Sequence, residues 1–270
     1  LWKQDTIAHH HAINMGVDNT FWANTYNKDK GEHIYYGAQF SIDGREFPFI
    51  DNTITQFDAT TGRILFHKSV TEILIENDLT YLLIKSDSPG DPLHINDIQP
   101  VLEDGPFMKK GDVFISSRTS SWIMHYRPST GEVVELIEGP FISQHDVDIE
   151  SDSTIIFFNN GGQTLKGERP DAHRLANELL VVNEQYSGVL RYYLQSGRYE
   201  PIYAELFTRN EIFSFTESLV DAIPGGGYYI EEQNSSVLWI LKDGEVKYKN
   251  ILPSQHEGHH HLANWGRVMP

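Results

Sequence analysis

The chain contains no cysteine, so thiol nucleophiles, thiolate metal sites and disulfides are all excluded. It also lacks a run of about eighteen apolar residues, the length a membrane-spanning helix needs. Positive charge is scarce: 21 Lys and Arg stand against 38 Asp and Glu, a net charge of −17. That balance argues against recognition of nucleic acid through its phosphates. An anionic small molecule would have to be held by a local basic pocket against the overall field. Helical patterning is thin. Only residues 69–83, where Val70, Ile73, Leu74 and Asn77 fall near helical spacing, read as a short helix. Two familiar catalytic signatures are missing as well: there is no Gly-x-Ser-x-Gly nucleophile elbow and no His-Glu-x-x-His zinc motif. The chain starts at Leu1 and shows no signal peptide, and it is read as a piece of a longer protein. No low-complexity linker divides it, so residues 1–270 are read as one domain.

What the sequence does have is short alternating runs, with aromatics at 12% and 21 glycines, a composition that favours strands and tight turns. An apolar run, a turn with glycine and a second run recur four times. The copies are residues 54–58 with 62–66, 122–126 with 131–136, 178–182 with 188–192, and 237–241 with 244–248. Each reads as a β-hairpin whose glycine supplies the positive φ of the turn. Residues 168–175 read as an excursion between strands.

A second pattern interleaves with the first. His11-Ala12-Ile13-Asn14, His94-Ile95-Asn96-Asp97, His145-Asp146-Val147-Asp148 and His261-Leu262-Ala263-Asn264 share the form His-x-x-(Asn/Asp). Ser218-Leu219-Val220-Asp221 holds the same phase without the histidine. Further strand-like runs follow four of the five, at 20–23, 113–116, 154–158 and 227–231. The repeating unit is therefore strand, strand, hairpin. Four-stranded sheets repeated along a chain are the signature of an all-β propeller, here with five to six blades expected and a ring that this chain leaves incomplete. The first strand of each blade lies nearest the axis, so matching histidines converge although they are far apart in sequence. Alternation along the first strand puts His9 and His11 on one face and His10 on the other.

His94, Arg118 and His145 form the strongest set. Imidazole serves as nucleophile or acid–base near neutral pH, and guanidinium pairs with two oxygens of a sulfuryl or phosphoryl group. Together they suit transfer of a small tetrahedral anion through a histidine adduct. Plain structural roles stand beside this reading, with the histidines bonded to backbone and Arg118 paired with a carboxylate. Histidines clustered with Asp97, Asp146 or Asp148 also leave metal binding open, although no ligand spacing supports it.

These stretches resemble the arylsulfotransferase (aryl-sulfate sulfotransferase) family. The resemblance rests on Asp91 to Asp97, on Ser116-Ser117-Arg118, and on Gly139-Pro140-Phe141 leading into Gln144-His145-Asp146. It extends to His10-His11 and to Asp51-Asn52-Thr53-Ile54-Thr55-Gln56-Phe57-Asp58, and covers roughly residues 7–250. It implies a propeller that moves a sulfuryl group from an aryl sulfate to a phenol, with neither a nucleotide donor nor another cofactor or metal. His145 takes the nucleophile's role, because the family's sulfated histidine follows a Gln. His94, Arg118 and His11 complete the expected catalytic set; His10, Asn96 and His261 are expected to bind substrate. Asp146 departs from the pattern, since its charge would repel a sulfate if it faced the channel. The resemblance further implies a periplasmic or extracellular location. An oligomer is compatible with the sequence, and so is a non-catalytic propeller that serves in binding or assembly.

Overall fold

The computed structural model describes residues 2–27, 37–86, 88–162, 186–263 and 266–268. The described residues form four antiparallel sheets of four strands each and one two-stranded hairpin. The first holds β1 (Ile7–Met15), β2 (Thr20–Asn27), β5 (Thr53–Asp58) and β6 (Ile64–Ser69), with the hairpin β3 (Ala38–Ile42) and β4 (Arg45–Phe49) inserted before its third strand. The second holds β7 (Ile95–Pro100), β8 (Val113–Ser117), β9 (Trp122–Arg127) and β10 (Glu132–Ile137). The third holds β11 (His145–Ser151), β12 (Thr154–Asn159), β13 (Gly188–Tyr193) and β14 (Arg198–Ile202). The fourth holds β15 (Leu219–Ala222), β16 (Tyr228–Glu232), β17 (Val237–Lys242) and β18 (Glu245–Ile251).

Each sheet is a meander, and the first strands line up: β1 lies against β7, β7 against β11, and β11 against β15. This is the radial order of propeller blades, I to IV. Packing explains the sequence pattern. In β8, Val113 and Ile115 face blade I, where they meet Trp22, Ile54, Ile73 and Leu74. Phe114 faces blade III and packs with Ile155 and Phe157. In β12 the alternate residues Ile156 and Phe158 face blade IV and pack against Ile230 and Trp239. A strand covered on both faces has no reason to alternate with polar residues, hence the unbroken Ile155-Ile156-Phe157-Phe158 run. The outermost strands β6, β10 and β18 have more exposed residues.

Three of the four expected hairpins are the outer halves of blades I, II and IV. The fourth shifts by one strand. Residues 178–182 lie outside the described residues, as do 168–175, and β13 already has β12 and β14 as its two neighbours. The outer hairpin of blade III is therefore closed by the turn through Gly197, and not at Gly188. The expected helix over 69–83 occurs as two short ones, α1 (Val70–Glu76) and α2 (Tyr81–Ile84). Ser69 caps the first by accepting from Glu72 N at 3.1 Å, and Asp78 at φ 59° separates the two. A third helix, α3 (Ala204–Arg209), follows blade III. No described helix is long and apolar enough to cross a membrane.

Four blades lie among the described residues, where the repeats implied five to six. The unit at His261 forms no further sheet there: Pro253 bridges His260, and His261 N donates to Leu252 O at 3.2 Å. Residues 266–268 instead take the position that a next inner strand would occupy. Val147 N donates to Asp97 Oδ2, and Val220 N to Asp146 Oδ2, each at 2.8 Å, stitching one blade's first strand to the next. Val268 N donates to Asp221 Oδ2 at 2.9 Å in the same way.

Candidate active site

The histidines of blades I to III sit where the pleat is broken. Ladder register shifts between His10 and Ile13, between Ile95 and Asp97, and between His145 and Val147. His11 has φ 59°, His94 φ 45° and Asp146 φ 54°, the left-handed region that L residues seldom adopt. Such bulges re-aim side chains. Simple alternation therefore fails here: His10 and His11 both join the cluster, and His9 turns away, its Nε2 3.2 Å from Ala12 O.

The four rings form one group. His11 Nε2 stands 3.2 Å from His94 Nε2. Ring centroids are 3.8 Å apart for His10–His11, 5.1 Å for His10–His94 and 6.1 Å for His11–His145. Three of the rings are oriented by a partner behind them. Asp91 Oδ2 lies 2.5 Å from His94 Nδ1, and the Tyr26 hydroxyl lies 2.8 Å from His10 Nδ1. His145 Nδ1 has two acceptors, Asn160 Oδ1 at 2.8 Å and Ser143 O at 3.0 Å. Both demand a proton on Nδ1, which leaves the lone pair on Nε2. That Nε2 is buried without a partner, and so is Arg118 Nε. Arg118 is set by its backbone, whose N–H donates to His94 O at 3.1 Å, and its charge disfavours protonation of both His11 and His145.

Burial keeps His10, His11 and His145 neutral. It is the main cause that brings His145 down to about 3, His10 to about 4 and His11 to about 2, because the charged imidazole loses its hydration. At Asp91 burial is the largest single influence and works upward, but the hydrogen bonds from His94 and Asn52, together with the electrostatic pull of His94, outweigh it and hold the carboxyl below its usual value.

Asn96 is buried, and its side-chain amide donates to Gln144 O at 2.6 Å, just before His145. Gln144 is itself clamped, its Nε2 donating to Ser116 Oγ at 3.0 Å and to Ser117 O and Trp122 O at 2.9 Å. Asn96 Oδ1 has no partner. The structure thus groups His10, His11, His94, Arg118 and His145, places Asn96 behind His145, and leaves His261 exposed on the chain that folds back beside β18.

Asp146 faces away from the histidines. The bulge turns it toward Val220 N and toward Arg267, which grips it through Nη2 at 2.7 Å and Nη1 at 3.2 Å. Asp97 and Asp148 share this buried patch. Burial first, and Asp146 second, raise Asp97 to about 7 and hold Asp148 well above the carboxylate range. Sequence reading missed Arg267, Tyr26 and Asn160. Of these only Asn160 carried a signal, as part of the polar pair that ends an apolar strand.

A propeller that gathers imidazoles at the inner strands of successive blades, with a guanidinium from the end of β8, has the groups that could hold a small anion beside a nucleophile. The arylsulfotransferase (ASST) family model matches residues 3–239, and the chain belongs to that family. No curated protein matches it. Among solved structures, virginiamycin B lyase from Staphylococcus aureus is 12% identical, at a TM-score of 0.43 over 93% of this chain and 72% of that one. A protein of unknown function from Bacteroides caccae is 11% identical, at 0.44 over 88% and 79%. Likenesses this distant bear on no step of the chemistry.

Proposed function

We propose that the protein is a nucleotide-independent aryl sulfotransferase that carries the sulfuryl group on His145 Nε2. The observation that supports this best is a pair of buried orphans, His145 Nε2 and Arg118 Nε, both without a hydrogen-bond partner. Buried polar atoms are nearly always satisfied, and a sulfuryl group between these two would satisfy both.

In the first half-reaction Nε2 attacks sulfur, the N–S bond forms and the S–O bond to the aryl oxygen breaks. The phenolate leaves as the anion beside the Arg118 guanidinium and takes its proton from water. In the second half an acceptor phenol gives its proton to His94, its oxygen attacks sulfur and the N–S bond breaks, and His94 passes the proton to water. Asn160 and Ser143 O hold the His145 tautomer, and Arg118 bears the sulfuryl charge. Asp91 orients His94 for proton transfer. The test is para-nitrophenyl sulfate with and without a phenol acceptor. Acceptor-dependent nitrophenol release with ping-pong kinetics, lost in His145→Ala, is expected. A folded protein that releases none contradicts the reading.

A further inference from the structure

We propose that His10, His11 and His94 form a transition-metal site, best matched to zinc, with an open fourth position. The assignment does not depend on sulfuryl transfer, and the sequence spacing gave no hint of it, since two ligands are adjacent and the third lies on another blade.

Each histidine offers one ring nitrogen, and the three nitrogens lie within 4.8 Å of one another. The His11 Nε2–His94 Nε2 separation of 3.2 Å decides the geometry. Two nitrogens each about 2.0–2.1 Å from a tetrahedral zinc stand roughly 3.3 Å apart, so this pair already has the bite that the metal needs. Asp91 holds Nδ1 of His94 and fixes its proton there, which turns the Nε2 lone pair toward His11. A carboxylate behind a ligating imidazole is the usual outer support of zinc, and it raises the basicity of the ligand. The positive φ angles of His11 and His94 pre-set the two rings, so little ordering is left for the metal to impose.

The donor set also selects the ion. Three imidazoles with no carboxylate among them suit zinc, copper or nickel and reject calcium and magnesium. All three residues are only partly buried, which leaves an entry path. A metal here would use the His94 imidazole that the sulfuryl transfer needs for its proton, so the two occupants exclude each other.

Exposed His256, His259, His260 and His261 would bind metal adventitiously, so the test begins with a chelator-treated full chain in which all four are replaced by Asn. Cobalt(II) is added as a spectroscopic stand-in for zinc. One equivalent should bind, with the visible absorption of low-coordinate cobalt, and zinc should displace it. His94→Ala should abolish the absorption, and Asp91→Asn should weaken binding by about 10–100-fold. Asp91→Asn remains readable if His94→Ala fails to fold. Absence of cobalt binding once the tail is changed, or affinity unmoved by Asp91→Asn, would overturn the site. Turnover by protein that binds no added cobalt would leave the sulfotransferase reading standing alone; metal binding without turnover would leave only this one.

Discussion

Removing the guanidinium of Arg267 gives the sharpest stability prediction. Asp146 has no solvent exposure, and Arg267 grips both its oxygens. In Arg267→Ala the carboxylate keeps a single donor, Val220 N at 2.8 Å. Breaking a buried pair from one side costs about 3–5 kcal/mol. Protonation sets a ceiling on that cost. Neutralising a carboxyl of ordinary pKa 3.8 at pH 7 takes about 4 kcal/mol, at 1.36 kcal/mol per unit. The expected loss near pH 7 is therefore about 3–4 kcal/mol. The sign of its pH dependence follows from Asp146, whose folded-state pKa burial has already raised above 3.8 and which the substitution raises further. A raised carboxyl binds more protons folded than unfolded, so its penalty grows as pH rises and shrinks as pH falls. The gap between variant and parent should narrow by about 1.4 kcal/mol per pH unit below neutrality. Urea unfolding of both proteins at pH 7, 6 and 5 measures it. A gap that stays constant with pH, or one below about 1 kcal/mol at pH 7, would refute the buried pair.

Asn160→Ala removes one of two acceptors on His145 Nδ1; a hydrogen bond worth about 1–2 kcal/mol should lower kcat about 5–30-fold with little change in KM, as steady-state kinetics on an aryl sulfate would record. Gly161 has φ +61°, and an added Cβ would meet Tyr186 O at 1.6 Å. Gly161→Ala should therefore lose about 2–3 kcal/mol of stability in denaturant titration. His145 binds its proton at about 3 when folded and at 6.5 when unfolded. The unfolded chain thus takes up the proton first, and stability from this group is lost as pH falls below 6.5. Relative to the parent, His145→Gln should become progressively more stable as pH is lowered through that window, by thermal unfolding at each pH.

The phases of the repeats carried most of the fold. Residues 20–23, 113–116, 154–158 and 227–231 fall within or against the second strands of the four blades, because doubly covered strands must be apolar throughout and turns must hold glycine. The histidines were placed for a related reason, since equal phase on repeated sheets means equal radius. Parity along a strand was not recoverable. A bulge at His11 and another at Asp146 undo the two-residue alternation, and no residue type there announces a positive φ. That is why His10 and His11 join the same group, and why Asp146 turns to Val220 N and Arg267 and not to the histidines. The acid's counter-ion, Arg267, lies 121 residues further along the chain, and only the closing of the blades brings the two together. His261 shared the histidine phase in sequence, but the chain there folds back on Leu252.

A rapid acid-free quench of the protein with excess aryl sulfate and no acceptor, followed by peptide mapping, asks most directly where the sulfuryl group rests. The peptide holding His145 should gain the mass of one SO₃, and a phenol chase should remove it at the rate of turnover. A modification found on another residue, or an unmodified His145 in protein that is turning over, would contradict the account.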